Sequence, residues 1–193
     1  MGNREDLLAG AKTCLYEKGY GRTTARDIAT AAKVSLAAIG YHFGSKEALL
    51  NAAMLEAVGE WGEAVQAALS AAATETLTPE ERFAVTWERV GGTFVEYRGL
   101  WAAQFEAIAQ IDRTPELKDA FGGVQRVARL ALTAMFQGQE DVPGSEDDYL
   151  LGTFYQALLA GYAIQWLVDV DQAPTGADFL AGLRLAAQRV LGA

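Results

Sequence analysis

The chain has 193 residues, slightly more than half of them apolar, which suffices for a small domain joined to a larger one. Its net charge of −9 argues against polyanion binding by the chain as a whole, but residues 1–50 hold seven Lys/Arg against five Asp/Glu. Residues 51–193 hold nine against twenty, so any attraction for phosphate is confined to the first fifty residues.

One cysteine, Cys14, excludes an internal disulfide and reads as buried filler on an amphipathic helix. One histidine, His42, leaves neither a metal ligand set nor a catalytic triad, and no cofactor is expected. The start turns polar at once (Asn3, Arg4, Glu5, Asp6), so no secretory signal and a cytoplasmic location are expected. Tyr149 to Val168 runs twenty residues without a charge. Its acidic flanks and its Gln156 and Gln165 favour a buried helix over a membrane span.

Helix-forming residues dominate and alternating β-branched runs are missing, which predicts an all-α chain. Four pairs have the capping form, a hydroxyl residue followed three later by an acid: Thr24/Asp27, Thr78/Glu81, Ser145/Asp148 and Thr175/Asp178. Pro79 sits at a first helical position, and Thr114-Pro115-Glu116 repeats that arrangement. Ser35 and Ser45 are further N-cap candidates. Gly19 and Gly21 follow a helix rather than a strand, so they stop the first helix and do not form a phosphate loop. In chain order these marks predict nine helices, at 4–18, 25–32, 36–43, 46–72, 79–98, 100–111, 115–137, 146–171 and 176–191.

Helices two and three fit a helix-turn-helix. Thr24 opens one, Lys33 and Val34 make the turn, and Ser35 caps the next. Ile39 and Phe43 lie one turn apart and pack inward with Ile28, leaving Leu36, Ala37, Gly40 and Tyr41 outward. Small side chains there let a helix enter a major groove, with apolar groups for thymine methyls. Thr24, Arg26, Lys33, Ser35, His42 and Lys46 cluster near helix ends, as phosphate anchors do.

Thr23-Thr24-Ala25-Arg26-Asp27-Ile28-Ala29 and Val34 to Leu49, with its YHFGSKEAL stretch, resemble the TetR family signature over about residues 4–50. The resemblance implies a homodimeric repressor that binds a palindromic operator and is released by a small-molecule inducer. It places Ser35, Leu36, Ala37, Ala38 and Tyr41 toward the groove, with Thr24, Tyr41, His42 and Lys46 on phosphates. Gly40 departs from the pattern, standing where a larger residue is common. The implied division is a three-helix DNA-binding domain at 1–47 and a helical ligand-binding and dimerisation domain at 48–193.

In that second part Trp61, Trp87, Phe94, Tyr97, Trp101, Phe105 and Phe121 are candidate walls of an apolar cavity. Glu88, Gln104, Glu106 and Gln125 are candidate polar contacts there. An unpaired carboxylate among them would favour a cationic or amphipathic inducer. The last two helices, 146–171 and 176–191, are the dimerisation candidates, with Phe154, Leu158 and Tyr162 in one row and small Gly152, Ala157 and Gly161 beside it. The alternative is an all-helical small-molecule carrier or enzyme with an incidental helix-turn-helix. The preferred reading is not an enzyme.

Overall fold

A computed structural model describes residues 3–70, 77–113 and 115–192. Among them there is no strand, and the helices are α1 (Asn3–Lys18), α2 (Ala25–Ala32), α3 (Ala37–Phe43), α4 (Lys46–Ser70), α5 (Pro79–Thr93), α6 (Arg98–Ile108), α7 (Pro115–Gln137), α8 (Glu146–Val168) and α9 (Gly176–Leu191). No helix among the described residues is long and apolar enough to cross a membrane.

All four capping pairs close as the sequence predicts. In each, the hydroxyl accepts the backbone N–H three residues on, while the acid accepts the N-cap N–H. Each box satisfies donors that a helix start leaves open. The hydroxyl partners hold the carboxyls of Glu81, Asp148 and Asp178 below their ordinary range. Ser45 also caps, its Oγ accepting the Ala48 N–H at 3.0 Å. The proposed Thr114 start and the 71–72 end of α4 lie outside the described residues.

Several boundaries differ: α1 starts one residue early, and α6, expected at 100–111, runs Arg98–Ile108. Leu36, not Ser35, takes the N-cap place of α3, and no side chain caps that helix. The predicted helix 79–98 stops at Thr93, where the Phe94 N–H turns back to the Gly91 carbonyl at 3.1 Å. Gly91 and Gly92 weaken that last turn. Helix α8 ends at Val168, three residues early. Asp169 adopts an extended backbone there, and its side chain accepts the Asp171 N–H at 3.0 Å to open a short 3₁₀ turn.

Contacts divide the chain into two compact units, residues 1–62 with 96–123, and residues 63–95 with 124–193. This differs from a cut after residue 47, because α6 packs on α1 and belongs with the first helices. In the first unit Leu7, Ala11 and Leu15 of α1 are buried with Ile28, Ile39, Leu49, Leu50 and Leu100. A Cβ at Gly10 would press on Ala32 of α2, and one at Gly99 on Tyr16, so glycine permits both close approaches. Lys12 bridges Glu56 and Glu60 of α4 at 2.7 and 2.6 Å.

The second unit is built around Trp87 of α5. Its ring stacks on Phe179 of α9 with centroids 4.4 Å apart, and meets Phe136 of α7 at 4.8 Å and Tyr162 of α8 at 5.8 Å. The start of α9 lies directly on α5. The Gly176 N–H donates to Glu88 Oε2 at 3.1 Å, and a Cβ at Gly176 would strike the Ala84 carbonyl.

Candidate nucleic-acid interface

The turn between α2 and α3 depends on Lys33, the one non-glycine described with a left-handed backbone (φ 57°). Its N–H reaches the Thr30 carbonyl at 3.2 Å and the Val34 N–H reaches Ala29 at 3.1 Å, ending α2 and redirecting the chain. Helix α3 then buries Ala38 and Ile39, half-buries His42 and Phe43, and turns Ala37, Gly40 and Tyr41 outward. Tyr41 is 86% exposed and Leu36 49%, and a Cβ at Gly40 would meet nothing within 4 Å. Ala37 and Ser35 are exposed as well. Ala38, expected toward the groove, is instead 8% exposed and leaves that set, because it shares the inward side with Ile39.

Arg26 and Lys33 are exposed beside this face. His42 is half-buried, its ring edge-on to Tyr41 at 4.8 Å. Thr24 is exposed, but its hydroxyl is shared with Asp27 in the capping box. Lys18 also bonds Asp27 at 2.6 Å, and Lys18 together with Thr24 holds that carboxyl far below the usual carboxylate range. Lys46 donates to the Thr23 carbonyl at 3.1 Å and faces Glu47 at 3.3 Å, so it ties α4 to the start of α2. Phe43 is half-buried, with the Arg4 guanidinium 5.2 Å from its ring centroid.

One support of this head escaped sequence reasoning. Glu106 of α6 accepts the Tyr20 N–H at 3.0 Å and the Gly21 N–H at 2.9 Å, clamping the α1–α2 turn with both carboxylate oxygens. Gly19, with φ 83°, is required there twice over, since a Cβ would also collide with that carboxylate. Glu106 was expected among the ligand contacts. Its oxygens are taken by backbone amides, and Glu88 likewise accepts from Gly176. Neither carboxylate is therefore left unpaired to favour a cationic inducer.

The eight expected ligand-lining residues do not come together in one unit. Trp61, Tyr97, Trp101, Gln104, Phe105 and Phe121 belong to the first, Trp87 and Phe94 to the second. Trp61 and Trp101 meet edge-on at 5.1 Å, and Trp101 lies 6.4 Å from Phe105. Phe94 packs on Tyr162 and Trp166 at 5.1 and 5.6 Å. Gln104 Oε1 is buried without a hydrogen-bond partner among the described residues, and Phe121 borders a cleft of about 10 Å³ beside Asn51 and Met54. None of the eight lines either of the two larger hollows of the second unit. These rings fill space around one another.

The α8 row also separates. Tyr162 is buried against Trp87 and Phe179, whereas Phe154 and Ala157 are exposed. Gly152 serves the close approach of α7, because a Cβ there would strike the Arg129 carbonyl. Leu150, Leu151, Phe154, Ile164 and Val168 remain exposed on α8, and Leu183, Leu185, Val190 and Leu191 on α9.

A short uncovered helix that follows a left-handed turn, among described residues that are otherwise helical, has the form of a helix-turn-helix. Residues 7–53 match the family described as bacterial regulatory proteins, tetR family. That match covers the first helices, α1 to the start of α4, and leaves the rest of the chain to the likeness in fold. The HTH-type transcriptional repressor AcnR of Corynebacterium efficiens is 37% identical over 65 residues, 34% of this chain and 35% of that protein. The matched stretch thus spans about a third of the curated relative. A transcriptional regulator from Rhodococcus sp. shares the fold with a TM-score of 0.66 at 16% identity, over 93% of this chain and 94% of that one. A TetR transcription regulator from Haloarcula marismortui does so with a TM-score of 0.63 at 21% identity, over 97% and 95%. The carrier or enzyme alternative gains nothing from these likenesses.

Proposed function

We propose that the chain is a cytoplasmic repressor that binds a palindromic operator as a homodimer and releases it when a small molecule occupies its regulatory part. The observation that carries this reading is the outward face of α3. Leu36, Ala37, Gly40 and Tyr41 lie uncovered on a helix whose other side is buried, a face of mostly small side chains that a major groove can admit. Arg26, Lys33, Ser35, His42, Thr24 and Lys46 flank that face as phosphate partners. The AcnR relatives are named repressors, over the part of their length that this head matches.

Dimerisation is proposed through α8 and α9, whose exposed leucines, valines and Phe154 form an apolar surface of the kind subunits bury. Two heads so joined read two half-sites about one helical turn apart. The effector must prefer the conformation in which those heads are wrongly spaced.

Selection of bound duplexes from random DNA, followed by gel shifts at several salt concentrations, tests the DNA reading. A palindromic consensus is expected. Tyr41→Ala should weaken binding about tenfold, roughly 1.4 kcal/mol. Arg26→Ala should weaken all sequences alike and reduce the salt slope by about 0.9. A monomer whose two variants bind duplexes as the parent does would overturn the proposal.

A further inference from the structure

The second unit contains a hollow of about 420 Å³ between the end of α4, the first half of α5 and the end of α7, within the size range of small-ligand sites. Leu69, Val85 and Met135 supply apolar wall. Two polar groups on that wall have unmet demands. Thr86 is 1% exposed, and its Oγ1 is buried without a hydrogen-bond partner among the described residues. Buried hydroxyls are rarely left in that state. Arg82, half-buried one turn earlier on α5, forms no ion pair among the described residues. Its guanidinium rests against Gly138 (φ 65°), where any Cβ would collide with it, so the backbone at the end of α7 is shaped to admit that group.

We propose that this hollow is the effector site and that it takes a small organic monocarboxylate with an apolar body. The inference rests on the ligand-controlled reading above. Arg82 offers parallel N–H donors that match the two oxygens of a carboxylate, and the Thr86 O–H donates to one of them. The apolar body then lies on Leu69, Val85 and Met135. A cationic ligand would face Arg82 directly. Glu140, exposed on the same wall, repels a second acidic group and so limits the ligand to one.

A neighbouring hollow of about 460 Å³, bordered by Phe83, Phe136 and Tyr155, lacks this demand. Its polar groups already serve one another: Arg184 pairs with Glu80, and Gln137 Nε2 donates to the Tyr155 hydroxyl at 3.4 Å. Arg82 borders both hollows, whereas Thr86 borders only the first. Thr86 is therefore the residue that tells them apart.

The experiment is thermal unfolding and titration calorimetry of the full chain with octanoate, octylamine and 1-octanol at matched concentrations. Octanoate should raise Tm in a dose-dependent way, with no shift from the other two. Arg82→Gln should weaken octanoate at least tenfold. Thr86→Val should raise the Tm of the ligand-free protein while weakening octanoate several-fold, a pair of effects that a merely structural threonine does not produce. Equal shifts from octylamine and octanoate, unaltered octanoate binding by Arg82→Gln, or a lowered ligand-free Tm in Thr86→Val would each overturn the site. Octanoate that binds without freeing a selected duplex supports the pocket and overturns ligand-controlled release. Release by another compound from a protein that ignores octanoate overturns the pocket and leaves that control standing.

Discussion

The reading helix and the aromatic centre of the second unit treat large side chains in opposite ways. On α3, Tyr41 stands almost wholly in solvent, with no partner among the described residues beyond the edge of His42. Around α5, Trp87 is fully buried and touches rings from three other helices. An aromatic residue inside a core is explained by the area it removes from water, and its position says little about function. An aromatic residue left outside has no such explanation, and the missing partner is what has to be supplied. On the reading proposed above, the chemistry is carried by exposed or unsatisfied groups, Tyr41 of α3 and Thr86 of α5, while the rings around Trp87 serve packing.

The most severe way to break that contrast is Trp87→Ala. If the ring is core, its loss should cost about 3–5 kcal/mol, because the contacts with Phe136, Tyr162 and Phe179 leave a cavity that rigid neighbours cannot fill. Urea unfolding followed by circular dichroism measures this. A cost below about 1 kcal/mol would mean that the site collapses easily, as a ligand-ready cavity does and a packed centre does not.

A smaller effect is expected at the clamp. Glu106→Ala removes the acceptor for two backbone N–H groups at once, and should cost about 1–3 kcal/mol. Hydrogen exchange should speed up at the Tyr20 and Gly21 amides first. Glu106→Gln keeps one carbonyl oxygen and should fall between parent and alanine. Unchanged exchange at those two amides would show that the turn holds itself through Gly19 and the Thr23 hydroxyl, which donates to the Gly19 carbonyl at 2.7 Å.

What could be read from residues alone follows the same division. The four capping boxes were legible because each is closed by residues three apart, and so was the α2–α3 turn, with Lys33 and Val34 between two short amphipathic stretches. The Glu106 clamp was not, since its partners lie 85 and 86 positions away and nothing local marks a carboxylate that will meet two amides. Ala38 was placed toward the groove by the family resemblance alone; the helical spacing of Ile39 and Phe43 had left it out of the outward set, and it is buried beside Ile39. The aromatic set was grouped by composition, which records how many rings there are but not which face each one uses. Arg82 and Thr86 passed unnoticed for a related reason. Their importance lies in partners they lack, and a sequence does not display an absent contact.

The smallest expected change in stability comes from Gly40→Ala, and it bears most directly on the reading helix. Inside a helix alanine is favoured over glycine by about 1 kcal/mol, and a Cβ here meets no atom of the protein within 4 Å. The free protein should therefore unfold at a slightly higher temperature. If this face lies against base edges, the same methyl enters the interface and must alter affinity for a selected duplex, upward beside a thymine methyl or downward against a close backbone. Stability and DNA binding then change separately, which no core substitution can achieve. A variant that gains stability and binds every duplex as before would remove the centre of α3 from the groove, and leave Tyr41 and the flanking cations as contacts to the phosphate backbone alone.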